Sequence, residues 1–77
     1  MSRNFQAVRV MRLLFLLCQN RRTGLSIAHI CEVLSANKRT LYRDVQALKS
    51  VGVVIEHQMS DDGFIRLILK SIPVLME

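Results

Sequence analysis

The sequence predicts an α+β fold, three helices followed by a two-stranded β-hairpin. Two observations carry that expectation. Three segments place apolar residues at helical spacing, and after Gly52 this gives way to two β-rich runs around a glycine-containing turn. A third observation concerns what the fold presents to solvent. Over residues 37–50 the apolar and the basic side chains separate onto opposite sides of one helix.

The first helix is expected over about 5–20. Val8, Val10, Met11, Leu13, Leu14, Phe15, Leu16, Leu17 and Cys18 cover most of its circumference, and only Gln6, Arg9 and Arg12 mark a polar side. A helix packed on one small core needs roughly a third of its surface apolar. Phe15 and Leu16 are therefore in excess. One reading assigns that excess to a two-fold homodimer joined through this helix and the apolar tail, residues 71–77. The other encloses the helix beneath the strands and tail. Ser26 is placed to cap a second helix over about 27–34, with Ile27, Ile30, Val33 and Leu34 as its stripe. Ser35-Ala36-Asn37 breaks that helix, and Asn37 is a good N-cap for the third, expected over about 38–51. On the third helix Leu41, Val45 and Leu48 share one stripe. Arg39, Arg43 and Gln46 lie opposite, flanked by Tyr42 and Ser50. Lys49-Ser50-Val51-Gly52 reads as a basic helix end with a glycine stop. The runs 53–59 and 64–70 read as strands around Ser60-Asp61-Asp62-Gly63, where Gly63 is free to take a positive φ.

A helix, a tight turn and a second helix with a basic outer face is helix-turn-helix geometry, and a hairpin directly after it makes the winged arrangement. A plain helical hairpin with a solvated charged face is the alternative. Guanidinium forks match guanine O6/N7 and phosphate oxygens, and the Gln amide matches adenine N6/N7. This outer face is therefore the pattern of a helix that reads the major groove of double-stranded DNA. The candidate DNA-binding residues are Asn37, Lys38, Arg39, Thr40, Tyr42, Arg43 and Gln46, with Arg22 in the loop after the first helix and Arg66 on the second wing strand. Arg21-Arg22 reads equally as a phosphate contact or as a solvated loop pair.

The run Leu34-Ser35-Ala36-Asn37-Lys38-Arg39-Thr40-Leu41-Tyr42-Arg43-Asp44-Val45 resembles the L-G-V-S-x-R-T-I-x-R-D-L stretch of bacterial winged-helix regulators. These are the N-terminal DNA-binding domains of DeoR-type and WYL-domain-containing transcriptional regulators. The resemblance extends upstream to Arg12-Leu13-Leu14. Downstream it takes in Leu48, Gly52-Val53, Ile55-Glu56 and Gly63, so it covers roughly residues 9–70. It implies that Arg39, Thr40 and Arg43 lie on a recognition helix. Two departures stand out. Ser35-Ala36 replaces the usual Gly-Val, and the large effector-sensing domain of those regulators has no counterpart in these 77 residues. Ligand sensing is therefore not carried over.

Length and charge set further bounds. At 77 residues one domain is expected, and a chain this short hides only about 60% of its unfolded surface. Yet 51% of its residues are hydrophobic, which again favours a partner copy. The net charge of +5 favours a polyanionic partner. No catalytic constellation is present: His29 and His57 lie on different expected elements, and Asp61-Asp62 is a turn pair. Asp44 faces away from the basic stripe and reads as a structural acid paired to a neighbouring Arg or helix. The glycines are isolated, so no phosphate-cradling loop is expected. Cys18 and Cys31 lack metal-ligand spacing and suit a reducing cytosol. The longest apolar run, 13–18, is six residues against the roughly 20 of a membrane helix. No cofactor, metal, membrane or small-molecule effector is expected. The resulting expectation is a cytoplasmic, nucleoid-associated transcriptional regulator, a repressor without a sensor domain. The alternatives are an excisionase-like architectural DNA-binding factor and a winged helix used for protein–protein contact.

Overall fold

The structure, a computed structural model, describes residues 3–73. Helix α1 (Arg3–Gln19) sends Leu13 and Leu17 into the core. After a turn, a two-residue strand β1 (Leu25–Ser26) leads directly into α2 (Ile27–Leu34), which buries Ile27, Ile30 and Leu34. Helix α3 (Lys38–Ser50) buries Leu41, Asp44, Val45 and Leu48 against α1 and α2. Strands β2 (Val54–Met59) and β3 (Ile65–Ser71) complete the core with Ile55, Leu67 and Leu69.

Both expected caps form. The Ser26 hydroxyl accepts from the His29 amide at 3.2 Å, and Asn37 Oδ1 accepts from the Thr40 amide at 2.8 Å. Between them the chain reverses through Ser35, a non-glycine residue at φ 52°. The amide of Ala36 donates to the Cys31 carbonyl at 3.0 Å and that of Ser35 to Glu32 at 3.3 Å. This is the Schellman closure of a helix end, in which a left-handed residue satisfies the last carbonyls. Ser35 thus adopts the backbone conformation that a glycine, the residue at this place in the motif it resembles, would adopt freely.

The sheet departs from the expected two-stranded hairpin. It has three antiparallel strands in the order β1-β3-β2, with Leu25 opposite Leu67 and Ser26 opposite Arg66. Gly24 makes this possible. It sits at φ +71°, and a Cβ there would stand 2.6 Å from Ile68 Cγ1 and 2.8 Å from the Leu67 carbonyl oxygen. Only a glycine lets the backbone lie so close to β3. The central strand is consequently covered on both faces, and Leu67, Ile68 and Leu69 are buried in succession.

Other boundaries shift slightly. Ser71, assigned to the tail, ends β3, while Val74, Leu75 and Met76 lie outside the described residues. Val33, expected on the apolar stripe of α2, is exposed. The two residues singled out as excess on α1 separate: Phe15 is exposed, and Leu16 is half-buried against the core. Among the described residues no helix is long and apolar enough to cross a membrane.

Candidate nucleic-acid interface

Helix α3 is held by its back and both flanks, which leaves one face outward. Arg39, Arg43, Gln46 and Ser50 are exposed on that face. Behind them Asp44 is fully buried and takes a two-point ion pair from Arg9 of α1. Arg9 Nε donates to Oδ2, and one terminal nitrogen donates to Oδ1 at 3.0 Å. Asp44 raises the Arg9 guanidinium above its ordinary pKa, chiefly through the hydrogen bond. A fork-to-carboxylate pair fixes orientation as well as distance, so it sets the rotation of α3 relative to α1. The acid that the sequence marked as structural has this role, although the sequence did not identify Arg9 as its partner.

The wing-side flank is fixed by a stack. The Tyr42 ring lies on the His57 ring of β2, with centroids 5.8 Å apart and planes 14° from parallel. Tyr42 is half-buried, so one face of its ring is engaged within the protein. His57 carries a positioning role that composition alone did not reveal. The alternation of β2 was the available signal: His57 shares a sheet face with the buried Ile55, the face turned toward α3. On the other flank Thr40 and Arg43 line a cleft together with Gln6 and Arg9 of α1.

The N-terminal end of α3 lies near the wing turn. Asn37, whose side chain caps the helix, and Lys38 are exposed there. Lys38, Gly63, Phe64 and Ile65 line one groove with residues of α2. The turn itself is well tied. Ser60 bonds Asp62 through its hydroxyl, the Phe64 amide donates to Asp62 Oδ1 at 3.1 Å, and the Gly63 amide donates to the Ser60 carbonyl at 2.9 Å. These donors, the Ser60 hydroxyl first, hold the Asp62 carboxyl below its ordinary value. The wing therefore carries an ionised acid at its tip.

The remaining candidates lie further from this face. Arg66 is half-buried on β3, facing away from Leu67 and opposite Gln58 and Ser26 in the sheet register. Arg22 is exposed in the turn after α1. Its neighbour Arg21 donates to the Lys70 carbonyl at 3.1 Å, which places this turn at the end of β3 opposite the wing tip. The structure thus gathers Asn37, Lys38, Arg39, Thr40, Tyr42, Arg43 and Gln46 around one helix and sets Arg22 apart from them. His29 is exposed on α2, away from His57 on β2.

The chain matches a protein family described as HTH domain over residues 9–64, from the middle of α1 to the start of β3's approach at Phe64. No curated protein and no solved structure matches it.

Proposed function

Because the chain belongs to the helix-turn-helix domain family, of the kind found in DeoR-type and WYL-domain regulators, we propose that it reads double-stranded DNA as a transcriptional repressor. One observation carries the reading: the exposed face of α3, with Arg39, Arg43 and Gln46 on a helix whose back is locked by the Arg9–Asp44 pair. A helix about 10–12 Å across with its side chains fits a major groove about 12 Å wide. Arg39 carries the paired donors that match a guanine edge, and Gln46 the donor and acceptor that match an adenine edge. Lys38 and Asn37 stand at the helix start, where recognition helices meet the duplex. Arg66 on the wing strand β3 and Arg22 in the turn after α1 are assigned in this proposal to backbone phosphates rather than to bases.

The working form in this proposal is a homodimer. Phe5, Val8, Met11 and Phe15 are 68%, 57%, 49% and 58% exposed along the solvent side of α1. A helix whose outer side is apolar is suited to a second copy. Two copies would present recognition helices about 34 Å apart, one helical turn of DNA. Occupying such a site beside a promoter would exclude polymerase, which is the route to repression in this proposal. Selection from randomised duplexes tests the reading. A defined, two-fold sequence should emerge, and Arg39→Ala should lose about 1–3 kcal/mol on that sequence and far less on random DNA. Failure to enrich any sequence would contradict it.

A further inference from the structure

The cleft between α1 and α3 is small, about 220 Å³, and among the described residues every side chain that lines it is polar: Gln6, Arg9, Thr40 and Arg43. Each carries hydrogen-bond donors, and among the described residues no carboxylate lines it. The nearby acid, Asp44, is fully buried, with both of its oxygens engaged by Arg9. That pairing uses Nε and one terminal nitrogen and leaves the other terminal nitrogen of a rigidly held guanidinium. Arg43 is exposed and brings its whole fork.

We propose that this cleft binds a backbone phosphate of the duplex when α3 occupies the major groove. Gln6 and Arg9 are then DNA-contacting residues supplied by α1, and Arg43 is a phosphate clamp, with base reading left to Arg39 and Gln46. The inference rests on the DNA-reading role of α3 proposed above. Its geometry follows from the fit of helix to groove: a helix that fills the groove turns its two flanks toward the two phosphate walls. Tyr42 occupies the wing-side flank, and the cleft opens on the other. Guanidinium forks held in place are suited to the planar, two-point recognition of a phosphate. Asp44 holds the Arg9 plane before DNA arrives, so little ordering remains at the moment of binding.

Gln6→Glu puts a carboxylate into the cleft at an exposed position. Gln19→Glu, exposed at the far end of α1, makes the same change in net charge outside it. Affinity for a random-sequence duplex is measured for both between about 50 and 200 mM salt. Gln6→Glu should bind about tenfold more weakly than Gln19→Glu, with a log–log salt slope shallower by about 1. Gln6→Lys should tighten binding and steepen the slope. Arg43→Ala should weaken random and selected duplexes to the same extent. Equal behaviour of Gln6→Glu and Gln19→Glu, or an Arg43→Ala loss confined to the selected sequence, would overturn the cleft and leave DNA reading by α3 intact. A wild-type chain without salt-dependent duplex binding would overturn both.

Discussion

Removing Arg9 should damage this protein more than removing the charge of Asp44, although the two form one pair. Asp44 is fully buried, whereas the Arg9 side chain is 27% exposed. Arg9→Ala leaves the buried Asp44 carboxylate without its partner. Stranding a buried charge costs about 3–5 kcal/mol, and some access of water through the space Arg9 vacates sets this case near the lower end, about 3 kcal/mol. A chain of this length has about 4–12 kcal/mol of stability in all. The melting temperature should therefore fall by about 12–24 °C. Asp44→Asn keeps a polar group in place and frees a guanidinium that water already reaches, so its cost is about 1–2 kcal/mol. Replacing both members, Arg9→Met with Asp44→Leu, should recover most of the loss, since a packed apolar pair is often as stable as the ion pair it replaces. Thermal unfolding followed by circular dichroism measures all three variants. An Arg9→Ala protein that melts within about 4 °C of wild type, or no lower than Asp44→Asn, would show that Asp44 does not depend on Arg9.

Ser35→Gly should stabilise the chain by about 0.5–1 kcal/mol, because it relieves a left-handed backbone at φ 52° while adding freedom to the unfolded state; a lower melting temperature would contradict this. Phe15→Glu should yield a folded monomer with weakened DNA binding by sedimentation at micromolar concentration, whereas Leu16→Glu, placed against the core, should lower stability itself. A wild-type chain that sediments as a monomer both alone and on DNA would remove the dimer. Asp62 supports the wing turn through a carboxyl held below its ordinary value of 3.8, so its contribution is complete above that pH and is lost as pH falls through the lower folded value. The Phe64 amide resonance should titrate with a midpoint below 3.8, and a midpoint at or above it would remove the hydrogen-bonded turn.

The helices were legible because their signals are local. Ser26 and Asn37 announce caps, and the stripe Leu41, Val45, Leu48 reports the buried side of α3 from spacing alone. Strand β1 was not legible. Two residues carry no period, and Ser26 was already accounted for as a cap. Only the closeness of Gly24 to Ile68, a long-range contact, reveals that the chain lies along β3 there. The site divides in the same way. The outward face of α3 follows from helical geometry, whereas its flanks depend on which elements pack beside it. A sequence shows that Asp44 needs a cation, but the choice between Arg9 and Arg12 is made by the crossing of α1 over α3. Tyr42 looked like part of the outer face until β2 supplied His57 to cover it.

DNA reading by α3 stands or falls with the salt dependence of duplex binding, because the affinity of a groove-reading basic helix is built largely on phosphate contacts that release counterions. Six such contacts imply a slope of about −5 in log affinity against log salt. Titration of the wild-type chain into a fluorescent duplex at several salt concentrations should give a line of about that steepness. A slope near zero would contradict DNA reading by α3.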